Sequence, residues 1–210
     1  MTDDDVQQRR GAERMTAVAG LARTVQHDIN NLLTVIYANL EMLKRTAAEG
    51  PPQRQLGRVE EAARRFDGTS RAILALIRRP AGEVAPIRLS EALGALQPLL
   101  QMILPGPATL ALTLAEADPA VLIERSALEE ALLALAQQVA ESQPRGHALA
   151  LGVLPETASG VLSVRLAPGL VPPALDRLRA VFATAGGSAV PDRDAPGAAF
   201  TLRLPAHTAP

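Results

Sequence analysis

The sequence predicts an α plus α+β chain. An antiparallel helical hairpin pairs with a second copy as a dimeric four-helix bundle, and a small α/β sandwich follows it. Three observations predict this. Two long stretches of helical period, 14–48 and 53–79, are separated by little more than Gly50-Pro51-Pro52. Beyond Pro80 the pattern changes to short segments that switch between helical and strand periods. Aromatic residues make up 2% of a chain that is 48% hydrophobic, so the core is aliphatic, which suits helix packing.

Residues 1–13 are acidic and then basic with no apolar period, and read as a mobile tail or as an extension of the helix after it. In the first helix Val18, Leu21, Val25, Ile29, Leu32, Leu33, Ile36, Leu40 and Leu43 share one half of the cylinder. That is about 120° of aliphatic surface, wider than one partner helix covers. The second helix repeats the period through Leu56, Val59, Ala63, Phe66, Ile73, Leu76 and Ile77. A homodimer of hairpins covers the excess face; the alternative cover is the C-terminal half. The hairpin domain is 14–80 and 81–88 is a linker.

The α/β domain is 89–206. Ser90 to Leu104 is helical, with Ser90 as a plausible N-cap. Thr109–Leu114 alternates as a strand, Ser126–Val139 is an apolar helix, and 147–153 and 160–166 are strands. Pro172–Ala185 is a helix stopped by Gly186-Gly187, and Ala198–Leu204 is a last strand. Helices then cover one face of a mixed sheet.

A net charge of −1 demands neither nucleic acid nor an anionic membrane as partner. The absence of cysteine excludes disulfides, thiolate catalysis and cysteine metal sites. No apolar run approaches the roughly 20 residues of a membrane span, and no basic-then-apolar leader opens the sequence. The expectation is a cytoplasmic protein.

The chemistry concentrates in His27-Asp28-Ile29-Asn30-Asn31-Leu32-Leu33-Thr34-Val35-Ile36-Tyr37. With His27 at zero, Asn31, Thr34, Ala38 and Arg45 fall within about 40° of it, opposite the aliphatic half. Adjacent asparagines cost a helix roughly half a kcal/mol each relative to alanine, so their presence suggests a task. His147, at the start of a strand, and His207, in the tail, carry no such context. Arg64-Arg65 and Arg78-Arg79 read as solvated faces, the first pair also suiting an acidic partner surface.

The run resembles the phosphoacceptor box of sensor histidine kinases, in the subgroup with His-Asp-x-Asn-Asn-Leu-Leu. Ala72–Arg79 is similar to the end of that family's second dimerisation helix, and Leu128–Ala136 to the helix that carries its magnesium-binding asparagine. Gly186-Gly187-Ser188 and Gly197–Pro205 are similar to its final turn and strand. The resemblance implies a phosphoacceptor at His27, with Asp28 orienting and activating it and Asn31 positioning the phosphoryl group or a water. It also implies response-regulator receiver domains as partners, and a hybrid histidine kinase as a further one.

Three departures from that family bear on ATP. Gln138 stands where the family places asparagine, which misplaces an octahedral magnesium ligand by one methylene. Arg165-Leu166-Ala167-Pro168-Gly169 aligns with the Asp-x-Gly-x-Gly segment, and an arginine in the aspartate's position cannot accept the adenine hydrogen bond. Residues 169–175 run almost directly into the last helix, leaving no room for a glycine-rich lid. The expectation is a degenerate kinase-type domain with no cofactor or metal of its own, resembling bacterial dimeric histidine phosphotransferases. His27 then accepts phosphate from a receiver aspartate and passes it to another receiver, magnesium coming from the receiver. The alternatives are a non-catalytic pseudokinase docking module and a response-regulator phosphatase.

Overall fold

Helix α1 runs from Asp3 to Thr46 and α2 from Pro51 to Arg78. The computed structural model describes residues 3–104, 109–142, 144, 146–192 and 198–208. Residues 1–2 of the expected tail and Gly197 lie outside the described residues. So do the side chains of 3–21 and 23, Val18, Leu21 and Arg23 among them. Residues 3–13, read as a mobile tail or as an extension of the helix, are the extension: they continue α1 toward its N-terminus.

The turn between the helices is built from its own residues. Gly50 has φ +107°, a conformation other residues avoid, and Pro51 and Pro52 open α2 where no backbone donor is needed. The Gln53 side-chain amide donates to the carbonyls of Lys44 and Ala47 at 3.0 and 3.3 Å, satisfying the end of α1. Lys44 pairs with Glu60, and Arg78 donates to Gln26 Oε1 at 3.1 Å. The hairpin is therefore antiparallel, and α1 continues past the end of α2 at its N-terminal side.

The chain divides into two compact units, 1–79 and 80–210. In the first unit the aliphatic half of α1 splits into two stripes. Ala22, Leu33 and Leu40 are buried, with Gln26, Ile29, Tyr37 and Lys44 half-buried beside them. Val25, Leu32, Ile36 and Leu43, roughly 80° round the cylinder, are exposed. Helix α2 buries Leu74 and exposes Val59, Phe66 and Ile73 at heptad spacing.

The second unit begins with strand β1, Val84–Arg88, and helix α3, Leu89–Ile103. Strands β2, Leu110–Thr113, and β3, Ala120–Glu124, precede helix α4, Arg125–Ser142. Then come β4, Leu149–Leu154, β5, Ser159–Leu166, helix α5, Ala174–Thr184, β6, Ser188–Asp192, and β7, Ala198–Pro205. The main sheet has the order β2-β4-β5-β7-β6, with β2 and β4 parallel and the other pairs antiparallel. Strands β1 and β3 form a separate antiparallel pair, Pro86 opposite Leu122. Neither β1, read as a linker, nor β3 nor β6 was expected.

Leu149, Leu151, Leu162, Val164, Leu202 and Leu204 face the helices and are fully buried with Leu135, Leu175 and Phe182. Burying each such side chain contributes about 1.5–3 kcal/mol. Ser90 is not the N-cap of α3: Arg88 holds that position, and Ser90 lies inside the first turn. Asp118 does the capping from a distance, accepting from Ser90 N at 3.2 Å and from Ser90 Oγ. Gly186, φ +76°, ends α5, with Gly187 N donating to Phe182 O at 2.8 Å. A Cβ on Gly187 would collide with the Arg203 carbonyl, so the chain turns from α5 into β6 through a residue with no side chain.

Candidate functional site: His27 on the hairpin

His27 stands on the solvent side of α1, its side chain 75% exposed and that of Asp28 71% exposed. Ile29 and Leu33, on the other side, hold that part of the helix by packing inward. The Asn31 carboxamide, one turn on, lies 3.1 Å from His27 Nδ1. The nearest Asp28 oxygen is 3.6 Å from the same nitrogen, outside hydrogen-bond range. Asp28 was expected to fix the ring; a residue at i+1 projects 100° away, whereas i+4 lies on the same face. Asn31 therefore makes the contact expected of Asp28.

This contact decides which ring nitrogen is reactive. With the amide donating, Nδ1 accepts and the ring proton resides on Nε2. With the amide turned over, its oxygen accepts from Nδ1–H, and Nε2 presents a lone pair to solvent. Thr34, the other hydrogen-bonding neighbour on this face, spends its hydroxyl on the Asn30 carbonyl at 2.8 Å. Among the described residues Asn30 Oδ1 is buried without a hydrogen-bond partner.

About 15 Å along α1 from His27, at the rise of a helix, lies a hollow of about 380 Å³. Tyr37, Leu40, Glu41 and Lys44 of α1 line it with Glu60 and Arg64 of α2. Glu60 accepts from Lys44 and, at 2.5 Å, from Arg64. The Lys44 ammonium first, and the Arg64 guanidinium after it, hold the Glu60 carboxyl below its ordinary 4.5. A carboxyl depressed on folding stabilises above its unfolded value and loses that stabilisation as pH falls through the folded value. Melting temperature followed by circular dichroism is expected to be flatter with pH below 4.5 in Glu60→Gln than in the parent chain. Equal slopes there would show that the ion pairs contribute nothing.

In the second unit the residues compared with an ATP site are engaged otherwise. Gln138 Oε1 accepts from Ala174 N at 2.8 Å, so its amide bonds the first residue of α5. Arg165 lies on the open face of β5, paired in register with Ala150 and Ala199. Leu166 is the residue turned toward the helices, 3% exposed, and its side chain has no acceptor either. Residues 167–170 close as a tight turn, Leu170 N donating to Ala167 O at 3.1 Å with Gly169 at φ +77°.

Sequence reasoning missed Glu129, buried at 1% on α4 and bonded to Arg125 at 2.8 Å. The i,i+4 spacing could have suggested the pair but not its burial. Among the described residues no group of three or more His, Cys, Asp or Glu side chains could hold a metal ion. No described helix is long and apolar enough to cross a membrane.

No family model matches the chain, and no curated protein matches it. Solved structures do resemble it. Full-length ShkA in complex with AMPPNP is 17% identical over 90% of this chain, with a TM-score of 0.46; this chain spans 46% of its length. The Acinetobacter baumannii histidine kinase AdeS is 12% identical, with a TM-score of 0.48, over 87% of this chain and 98% of that one. The histidine kinase domain of a blue-light activated histidine kinase from Erythrobacter litoralis is 12% identical, with a TM-score of 0.48, over 92% and 94%. These identities and scores are low, so the functional reading rests on the residues themselves.

Proposed function

We propose that this chain is a dimeric histidine phosphotransferase of a two-component phosphorelay, built on a degenerate sensor-kinase core. The observation that carries the reading is the exposed His27 imidazole with the Asn31 carboxamide on Nδ1. An imidazole so exposed suits a macromolecular partner that brings its own reaction centre. In the step proposed, the Nε2 lone pair forms an N–P bond with a receiver phosphoaspartate. The acyl phosphate P–O bond breaks and the aspartate leaves as carboxylate. The proton stays on Nδ1, held by the Asn31 oxygen, with Asp28 near enough to stabilise the ring's positive charge. The receiver docks along α1 and α2 over the Tyr37–Arg64 hollow and supplies its own magnesium.

Two observations support a chain that does not load itself from ATP: Gln138 is bonded to α5, and a tight turn stands in place of a lid. Phosphoryl transfer from a nucleotide needs positioned amides and metal about the phosphates. Calorimetric titration with magnesium-ATP is expected to give no binding heat at micromolar nucleotide; saturable heat there would overturn this half of the reading.

A second reading, a docking module that holds no phosphate, is favoured by the amide as it stands, which puts the ring proton on Nε2. A third is a phosphatase in which Asn31 orients water. Incubation with a phosphorylated receiver separates the three. Acid-labile label on this chain supports the phosphotransferase. Receiver binding without label supports docking, and free phosphate released in an Asn31-dependent way supports the phosphatase.

A further inference from the structure

Apart from His27 and its partners, the α/β unit carries an apolar groove with a negative end. A hollow of about 440 Å³, within the range of ligand sites, lies between β3 and the C-terminal half of α5. Val84, Leu122, Ala127, Val181 and Ala185 supply apolar walls, and Glu124 supplies the charged group. Val84 is 61% and Leu122 43% exposed, unusual for aliphatic strand residues beside a formed core. A second hollow, about 210 Å³, shares Leu122 and Ala185 and extends the groove to Pro205 and His207. Two connected lobes suit two anchors one helical turn apart better than one compact ligand.

The polar groups set the sign of the occupant. Glu124 Oε1 accepts from Gly82 N at 2.7 Å and from Ser126 Oγ at 2.9 Å, which fixes the carboxylate at the wall. The last turn of α5 ends at Thr184 and Ala185 on the same rim and presents the negative end of its dipole. Among the described residues neither lobe is lined by Lys or Arg. We infer that this groove docks an amphipathic helix of a partner protein, with two apolar side chains one turn apart and a Lys or Arg beside the one entering the larger lobe.

The test uses the full chain and a fluorescent synthetic helix with leucines at i and i+4 and an adjacent lysine, followed by anisotropy. Saturable binding is expected, at least about tenfold weaker when the lysine is glutamate. Glu124→Gln, whose amide oxygen keeps the contacts to Gly82 and Ser126, should erase most of that preference. Leu122→Asp, at an exposed position, should abolish binding with an unchanged melting temperature. Equal affinity for the basic and acidic helices, or for parent and Leu122→Asp, overturns the proposal. So does a change of oligomeric state in Leu122→Asp, which would make the occupant a second copy. Equally tight binding of hexylamine would make it a small-molecule site and overturn the helix.

Discussion

His27→Ala is expected to remove all acid-labile label that the chain acquires from a phosphorylated receiver, while leaving receiver binding intact. The separation is expected because the ring is exposed and its hydrogen bond is to a neighbour on the same helix face, Asn31. Removing it opens no cavity, and alanine favours helix. Secondary structure and melting temperature should stay within the small range of surface substitutions, about 0.5 kcal/mol. Asn31→Ala should slow transfer by about tenfold, equivalent to about 1.4 kcal/mol, because the ring loses its orienting contact but keeps its nucleophile. Asn31→Asp is the informative companion. A carboxylate accepts but cannot donate, so it holds the proton on Nδ1 and frees Nε2. Transfer equal to or faster than the parent chain identifies tautomer control as the role of residue 31. Label that persists in His27→Ala would end the assignment of the acceptor.

The other large effect is expected at Ile36. Val25, Leu32, Ile36 and Leu43 on α1, with Val59, Phe66 and Ile73 on α2, leave the hairpin with an apolar surface its own two helices do not cover. A second hairpin in a four-helix bundle is the proposed cover. Ile36→Asp would place two carboxylates in that interface, one per protomer, and desolvating an unpaired charge costs several kcal/mol. Dissociation should rise by at least about a thousandfold, near 4 kcal/mol, and sedimentation should report monomer at concentrations where the parent is dimeric. A parent chain that is itself monomeric would remove the bundle. Because His27 faces away from this stripe by helical spacing, its accessibility should survive dissociation.

The helices were legible where period and punctuation agreed. Gly50-Pro51-Pro52 marked the hairpin turn, and Gly186-Gly187 the end of α5, because those residues act locally. Strands were legible where the sheet is deep, as in β5 and β7. They were not where proline or brevity hid them. Pro86 in β1 and Pro191 in β6 lie in strands with a single partner, which a residue lacking N–H tolerates and a sequence pattern reads as linker. Ser90 looked like a cap because the real acceptor, Asp118, is distant in sequence. At the site, helical spacing places Asn31 beside His27, whereas the resemblance assigns the orienting role to Asp28, which lies 100° round the helix. The side of the sheet is equally sensitive to one residue: Arg165 lies on the open face of β5 and Leu166 on the buried one, since successive strand residues face opposite sides.

Gln138 joins α4 to the start of α5 through a single side-chain acceptor. Shortening it to asparagine withdraws the acceptor from Ala174 N and costs a helix start, about 1 kcal/mol, as the loss of a cap does. The contact acts as a rivet between two helices: an asparagine at 138 is expected to loosen the start of α5 before it disturbs α4.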